Sequence, residues 1–145
     1  MKVELAAVAM SVAVVSSLLG CQSKPAGDES AATSAPTPEL KIAEVDQILK
    51  DKSGRVIDAN GADTRREYGV IPSAILLTDH KNYLLSELPT DKSTKLVFYC
   101  GGTACRASDA AASRAANAGY SNVSVFREGI RGWKSAGRPT EMPKS

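Results

Sequence analysis

One stretch of the sequence decides the fold: Leu96-Val97-Phe98-Tyr99-Cys100-Gly101-Gly102-Thr103-Ala104-Cys105-Arg106-Ala107-Ser108. Its first four residues are large and apolar, as in a buried strand, and they run straight into Cys100. Small residues follow, and a helix is predicted to begin at Ser108, a residue type favoured as an N-cap. Since ligands bind beyond the carboxyl ends of strands in open α/β sheets, the pattern predicts a functional site at this loop.

The loop after Cys100 has the composition of an anion-binding cradle. Gly101 and Gly102 let the backbone curl so that N–H groups point inward, and the helix N-terminus adds partial positive charge. Arg106 is expected to complete the cradle. The same field stabilises a thiolate and can lower a cysteine pKa from about 8.5 to between about 3.5 and 7.5, which makes Cys100 the candidate nucleophile.

Around this loop, apolar runs with strand character alternate with stretches of helical spacing, which is typical of a mainly parallel sheet flanked by helices. The predicted strands are residues 40–42, 56–59, 74–77, 96–99 and 123–126. The predicted helices are residues 43–50, 83–88, 108–118 and 129–136.

The first 38 residues differ in composition from the rest. Residues 1–20 have the outline of a secretion signal, with Lys2 before an apolar run that is too short to cross a membrane. The run ends in Leu18-Leu19-Gly20-Cys21, which resembles the lipobox of bacterial lipoproteins. The remainder of residues 21–38 is rich in Ser, Ala, Thr and Pro and is expected to be a disordered tether to a domain over residues 39–145.

The lipobox resemblance implies that Cys21 carries lipid and that residues 1–20 are removed. Gln22 resembles the residue that directs such proteins to the outer membrane, so we expect a lipid-anchored protein facing the periplasm or the cell exterior. The alternative is an ordinary cleaved signal in which Cys21 is incidental.

Composition limits the classes of function. A chain of 145 residues has room for one domain. Its net charge of +2 is not the strongly basic charge typical of nucleic-acid-binding proteins, so we expect no nucleic-acid partner. The lone His80, with three cysteines in the chain, falls short of a metal site, so we expect no metal. Four basic residues could line a pocket mouth, although isolated basic residues are usually solvated: Arg65, Arg66, Arg127 and Arg131.

The chain from 40 to 138 resembles a single rhodanese domain. The motifs that carry the resemblance are Val56-Ile57-Asp58-Ala59, Gly69-Val70-Ile71-Pro72-Ser73-Ala74-Ile75, Cys100 at the end of its strand, and Gly129-Ile130-Arg131-Gly132-Trp133 with Ala136-Gly137-Arg138-Pro139. Three positions depart from the family pattern: Val70 replaces a His, Asn60 replaces an Arg, and Glu67-Tyr68 lie closer to Gly69 than usual.

The resemblance implies sulfur transfer from thiosulfate or a related anion to a thiol or cyanide acceptor, a reaction that requires no metal and no organic cofactor. Cys100 would be the catalytic residue and would hold the sulfur as a persulfide. The loop would bind the donor and the persulfide through the backbone N–H groups of its residues, Gly101, Gly102, Thr103, Ala104, Cys105 and Arg106.

Two alternatives remain open because the loop departs from the common rhodanese spacing. The Cys-x5-Arg spacing from Cys100 to Arg106 resembles dual-specificity phosphatases and arsenate reductases, whose larger loops accept a tetrahedral oxyanion. Cys105 is a second thiol inside the loop, so a thiol–disulfide redox protein is also possible. In a sulfurtransferase, Cys105 could act as a resolving thiol that attacks the Cys100 persulfide.

Overall fold

The computed structural model describes residues 36–143, so the predicted signal peptide, Cys21 and the first part of the tether lie outside the described residues. Within residues 36–143 there are four helices, α1 (Ile42–Asp51), α2 (Ala62–Tyr68), α3 (Ala107–Asn117) and α4 (Gly129–Ser135), with a 3₁₀ turn at Leu85–Glu87. The same part of the chain has four strands, β1 (Gly54–Asp58), β2 (Ile75–Leu76), β3 (Lys95–Tyr99) and β4 (Val123–Phe126). None of the helices within these described residues is long and apolar enough to span a membrane.

The four strands make one parallel sheet in the order β2-β1-β3-β4. The predicted α/β class with a mainly parallel sheet flanked by helices is therefore confirmed. In β1 and β3, Asp58 lies opposite Tyr99, and Tyr99 lies opposite Phe126 of β4. The carboxyl ends of these three strands thus meet at one edge of the sheet, which is where the loop after Cys100 begins.

Side-chain alternation along the strands divides the core between the two faces of the sheet. On one face, Phe98 and other buried apolar side chains pack against three alanines of α3, Ala111, Ala112 and Ala115, which are fully buried and allow a close approach. On the opposite face, Tyr99 and Phe126 pack with side chains of α1 and α4. Trp133 of α4 is 1% exposed there and meets the Phe126 ring edge-on.

The predicted strand at 40–42 is wrong. Leu40 donates to the carbonyl of Val125, and Val125 donates to the carbonyl of Pro38, but the pairing stops there. Pro38 has no N–H to donate and α1 begins at Ile42, so the segment between them is too short to extend the ladder.

The helix α2 is absent from the sequence-based assignment. Its residues carry four charges and none of them is buried, so no apolar periodicity marks it. Tertiary contacts hold it instead: Arg65 reaches back to Asp58 at the end of β1, with its Nε 3.2 Å from the carboxylate.

Candidate active site

Cys100 owes its position to the alternation along β3. Leu96, Phe98 and Cys100 belong to the same core cluster, on the side of the sheet that α3 covers. The thiol is 1% exposed, and its Sγ lies 3.4 Å from the Oγ of Ser108. Ser108 was predicted as the N-cap of the helix, but α3 begins at Ala107, and the Ser108 side chain is buried against the thiol.

The start of α4 determines which way the loop peptides face. The N–H groups of Ile130 and Arg131 donate to the carbonyls of Cys100 and Gly101, at 2.9 and 3.2 Å. These carbonyls are thereby turned toward α4 and away from the loop interior, which leaves peptide N–H groups for that interior. Gly129 makes the close approach possible, because a Cβ there would lie 2.3 Å from the Cys100 carbonyl oxygen.

An open cavity of about 820 Å³ lies over the loop at the carboxyl edge of the sheet. Most of the predicted loop residues line it, whereas Cys100 itself does not. The lining from the loop is Gly101, Gly102, Thr103, Ala104, Cys105 and Ala107. The rest of the lining is Ala59, Asn60, Gly61, Thr64, His80, Glu128, Arg131, Gly132 and Ser135.

The two thiols of the loop differ in acidity. Burial raises the pKa of Cys100 above its ordinary value, and the hydrogen bond with Cys105 adds to the rise, while Ser108 opposes it. Partial burial also opposes ionisation of Cys105, but hydrogen bonds from Cys100 and from the backbone N–H groups of Ala107 and Gly101 outweigh it and lower the Cys105 pKa. The expectation of a lowered pKa at Cys100 is therefore wrong. The pKa of Cys105 is lowered instead, because backbone N–H groups of the loop reach the sulfur of Cys105.

Arg106 does not complete the cradle with its side chain. The guanidinium is 74% exposed, lies 3.3 Å from the carboxylate of Asp109, and is outside the lining of the cavity. Because Arg106 is the residue just before α3, its backbone continues into the helix while its side chain turns to solvent. The basic side chains that do line the cavity are those of Arg131 and His80.

A buried hydrogen-bond network supports the edge of the sheet below the cavity. The Asp58 carboxylate is fully buried and accepts bonds from the Tyr99 hydroxyl at 2.5 Å, from Arg65 Nε at 3.2 Å and from the Asn60 backbone N–H at 2.7 Å. The Tyr99 hydroxyl in turn accepts from the N–H of Ile71. A buried carboxylate needs such partners, and the network ties β1 to β3 directly beside the loop.

Sequence reasoning missed several residues of the cavity wall, above all Asn60. Asn60 comes two residues after Asp58, at the carboxyl end of β1, so the strand-end rule that singled out Cys100 could also have found it. From the sequence, His80 is considered only as a metal ligand, yet it lines the cavity. Of the four arginines considered for the pocket mouth, Arg131 lines the cavity. The others pair with carboxylates: Arg65 with Asp58, Arg66 with Asp63, and Arg127 with Glu39 and Asp109.

The family model of the rhodanese-like domain matches residues 41–136. The chain belongs to the rhodanese-like domain family. Its four resemblance motifs fall on β1, on the turn before β2, on the end of β3 and on the start of α4, all of which border the cavity or support it. No curated protein sequence matches the chain.

Solved structures with the same fold include proteins of several kinds. A protein from Bacillus halodurans is 25% identical with a TM-score of 0.60, and the match covers 70% of this chain and 74% of that one. A thiosulfate sulfurtransferase from Pseudomonas aeruginosa is 26% identical with a TM-score of 0.61, over 74% of this chain and 21% of that one. A protein of unknown function from Rhodopseudomonas palustris, described as a possible tyrosine phosphatase, is 22% identical with a TM-score of 0.60, over 72% of this chain and 85% of that one.

Proposed function

We propose that this rhodanese-like domain is a sulfurtransferase that takes a sulfane sulfur from thiosulfate or a related anion and carries it as a persulfide on Cys100. The observation that carries the proposal is the loop itself: Cys100 follows the buried strand β3, and the carbonyls of Cys100 and Gly101 are held by α4. A loop with its N–H groups turned inward stabilises the negative charge of a persulfide. The likeness to the Pseudomonas aeruginosa thiosulfate sulfurtransferase supports the same chemistry.

The proposed loading step uses both thiols. The thiolate of Cys105 accepts the proton of Cys100 while the Cys100 sulfur attacks the sulfane sulfur of thiosulfate. A bond forms between these two sulfur atoms, the bond between the two sulfurs of thiosulfate breaks, and sulfite leaves with its electron pair. The lowered pKa of Cys105 and its contact with Cys100 suit it to act as this base.

The proposed unloading step has two routes. A thiolate or cyanide acceptor can attack the outer sulfur of the persulfide and release the Cys100 thiolate. Alternatively, Cys105 attacks the Cys100 sulfur, which forms a disulfide and expels hydrosulfide, and the Cys105 proton leaves with the hydrosulfide. The second route makes Cys105 the resolving thiol, and each cycle then consumes an external dithiol reductant.

Mass spectrometry of the reduced protein after incubation with thiosulfate tests the loading step. We expect one added sulfur on the wild-type protein, located at Cys100, and none on Cys100→Ser. The variant Cys105→Ser is expected to load slowly but to keep its persulfide longer and to release less sulfide. An added sulfur located on Cys105, or retained in Cys100→Ser, would contradict the assignment of Cys100.

Phosphatase or arsenate reductase chemistry is the competing proposal from the Cys-x5-Arg spacing. That chemistry needs a guanidinium over the loop, whereas the Arg106 side chain turns outward to Asp109, so the geometry favours sulfur transfer. An aryl phosphate assay separates the two. Phosphate release that depends on Cys100, without persulfide formation, would establish the competing function.

We further propose that the domain is anchored to a bacterial outer membrane by lipid on Cys21, facing the periplasm or the cell exterior. The motif Leu18-Leu19-Gly20-Cys21 supports this anchor. Metabolic labelling with a radioactive fatty acid should mark the wild-type protein but not Cys21→Ala. Wild-type protein without label would contradict the anchor.

A further inference from the structure

The side chain of Asn60 has no part in the network beneath it. The Asp58 carboxylate is bound by Tyr99, by Arg65 and by the backbone N–H of Asn60, so only the main chain of Asn60 contributes. Arg65 of α2 supplies the guanidinium that this network needs. The Asn60 amide is therefore available for another partner.

That amide is buried in the wall of the cavity. Asn60 is 7% exposed, and its Nδ2 has no hydrogen-bond partner within residues 36–143. The residue lines the cavity together with Gly101, and its Oδ1 lies 3.8 Å from the point that a Cβ on Gly101 would occupy. Because buried donors in folded proteins are nearly always paired, the unpaired amide beside the loop needs a partner that residues 36–143 do not supply, either a water or a ligand atom.

The surroundings select the chemistry of that ligand atom. An amide N–H donates, and the neighbouring loop contributes peptide N–H groups, so the partner is an acceptor such as an anionic oxygen. Arg131 and His80 also line the cavity, and Glu128 is the one carboxylate that the described residues contribute to its lining. Glu128 opposes anion binding, so the donors have to outweigh it by direct hydrogen bonds to the anion.

We propose that the Nδ2 of Asn60 binds a sulfonate oxygen of an S-sulfonate donor such as thiosulfate and so directs the sulfane sulfur toward the cysteine loop. The inference rests on the proposed sulfur transfer and names the part of the donor that is recognised. Thiosulfate fits because it carries its oxygens on one sulfur and its transferable sulfur at the other end. A donor without oxygen, such as inorganic polysulfide, offers this amide no comparable acceptor.

The test compares Asn60→Ala and Asn60→Asp with wild type, and Asn82→Ala removes an exposed amide outside the cavity as the matched control. Sulfur transfer is measured with thiosulfate and with polysulfide. For the Asn60 variants we expect KM for thiosulfate to rise about tenfold, the scale of one hydrogen bond to a charged group, and more for the carboxylate variant. Transfer from polysulfide and all kinetics of Asn82→Ala should stay near wild type.

Calorimetric binding of thiosulfate separates a failure of this inference from a failure of the proposed function. Weaker binding in the Asn60 variants, even if no variant transfers sulfur, supports the amide contact and contradicts only the sulfurtransferase activity. Equal thiosulfate affinity in wild type and both variants, or no binding to wild type, would overturn the role of Asn60. Thermal unfolding verifies the fold of each variant. If the carboxylate of Asn60→Asp prevents folding, the thiosulfate affinity of Asn60→Ala alone tests the role of the amide.

Discussion

Replacing Gly129 by alanine should displace the cysteine loop, because the added Cβ makes a shorter contact than a Cβ at any other glycine within residues 36–143. Gly129 has a φ of +62°, and the new Cβ would lie 2.3 Å from the carbonyl oxygen of Cys100 and 2.8 Å from the nitrogen of Gly102. Ordinary contacts between non-bonded atoms are about 3.5 Å, so the loop has to move by about 1 Å. That movement also strains the hydrogen bond from Ile130 to Cys100.

The expected loss in the free energy of unfolding follows from two separate costs. A left-handed conformation costs a residue with a Cβ about 1–2 kcal/mol, and overpacking costs about 1–3 kcal/mol, so Gly129→Ala should lower the free energy of unfolding by about 2–5 kcal/mol. Gly137 provides the matched control, because its φ is +69° and nothing lies within 4 Å of its added Cβ. Gly137→Ala should therefore show the conformational cost alone.

Urea unfolding measures both variants, and the single tryptophan, Trp133, is buried at 1% exposure and reports on the transition by its fluorescence. Loading of sulfur from thiosulfate should fall about 100-fold in Gly129→Ala, since a misplacement of about 1 Å has that effect on reacting groups. Gly137→Ala should load normally. Equal destabilisation by the two substitutions would refute the packing of α4 against the loop.

Three further predictions concern the network, the thiols and the loop arginine. Tyr99→Phe removes the hydroxyl that donates to the buried carboxylate of Asp58, and should cost about 1.5–3 kcal/mol in urea unfolding; unchanged stability would contradict the network. Alkylation of Cys105 by iodoacetamide follows its thiolate, so the rate should reach half its maximum at a pH below 9.0, the ordinary pKa of a cysteine thiol, and a midpoint at or above 9.0 would contradict the lowered pKa. Arg106→Ala removes an exposed side chain paired with Asp109, so stability should change by less than about 0.5 kcal/mol and KM for thiosulfate by less than about twofold; a tenfold rise in KM would show that the guanidinium binds the donor after all.

The amino-acid sequence by itself determined the architecture and the place of the candidate site in the chain. The strands at 96–99 and 123–126 carry their own local signal, since apolar runs of this length between turn residues are typical of buried parallel strands. Gly101 and Gly102, which directly follow Cys100, indicate in the sequence that a loop begins at the end of the strand at 96–99. These features are local, so a pattern of neighbouring residues is sufficient to predict them.

Only the tertiary structure decided the chemistry inside the loop. The acidity of each thiol depends on which N–H groups reach which sulfur, and that depends on α4 holding the carbonyls of residues far away in the chain. The helix α2 has no apolar pattern and is held by Arg65 on Asp58, and the side-chain amide of Asn60 is buried in the cavity wall without a hydrogen-bond partner within residues 36–143. Burial and hydrogen-bond partners are properties of residues brought together by folding, and for this reason sequence spacing alone could not predict them.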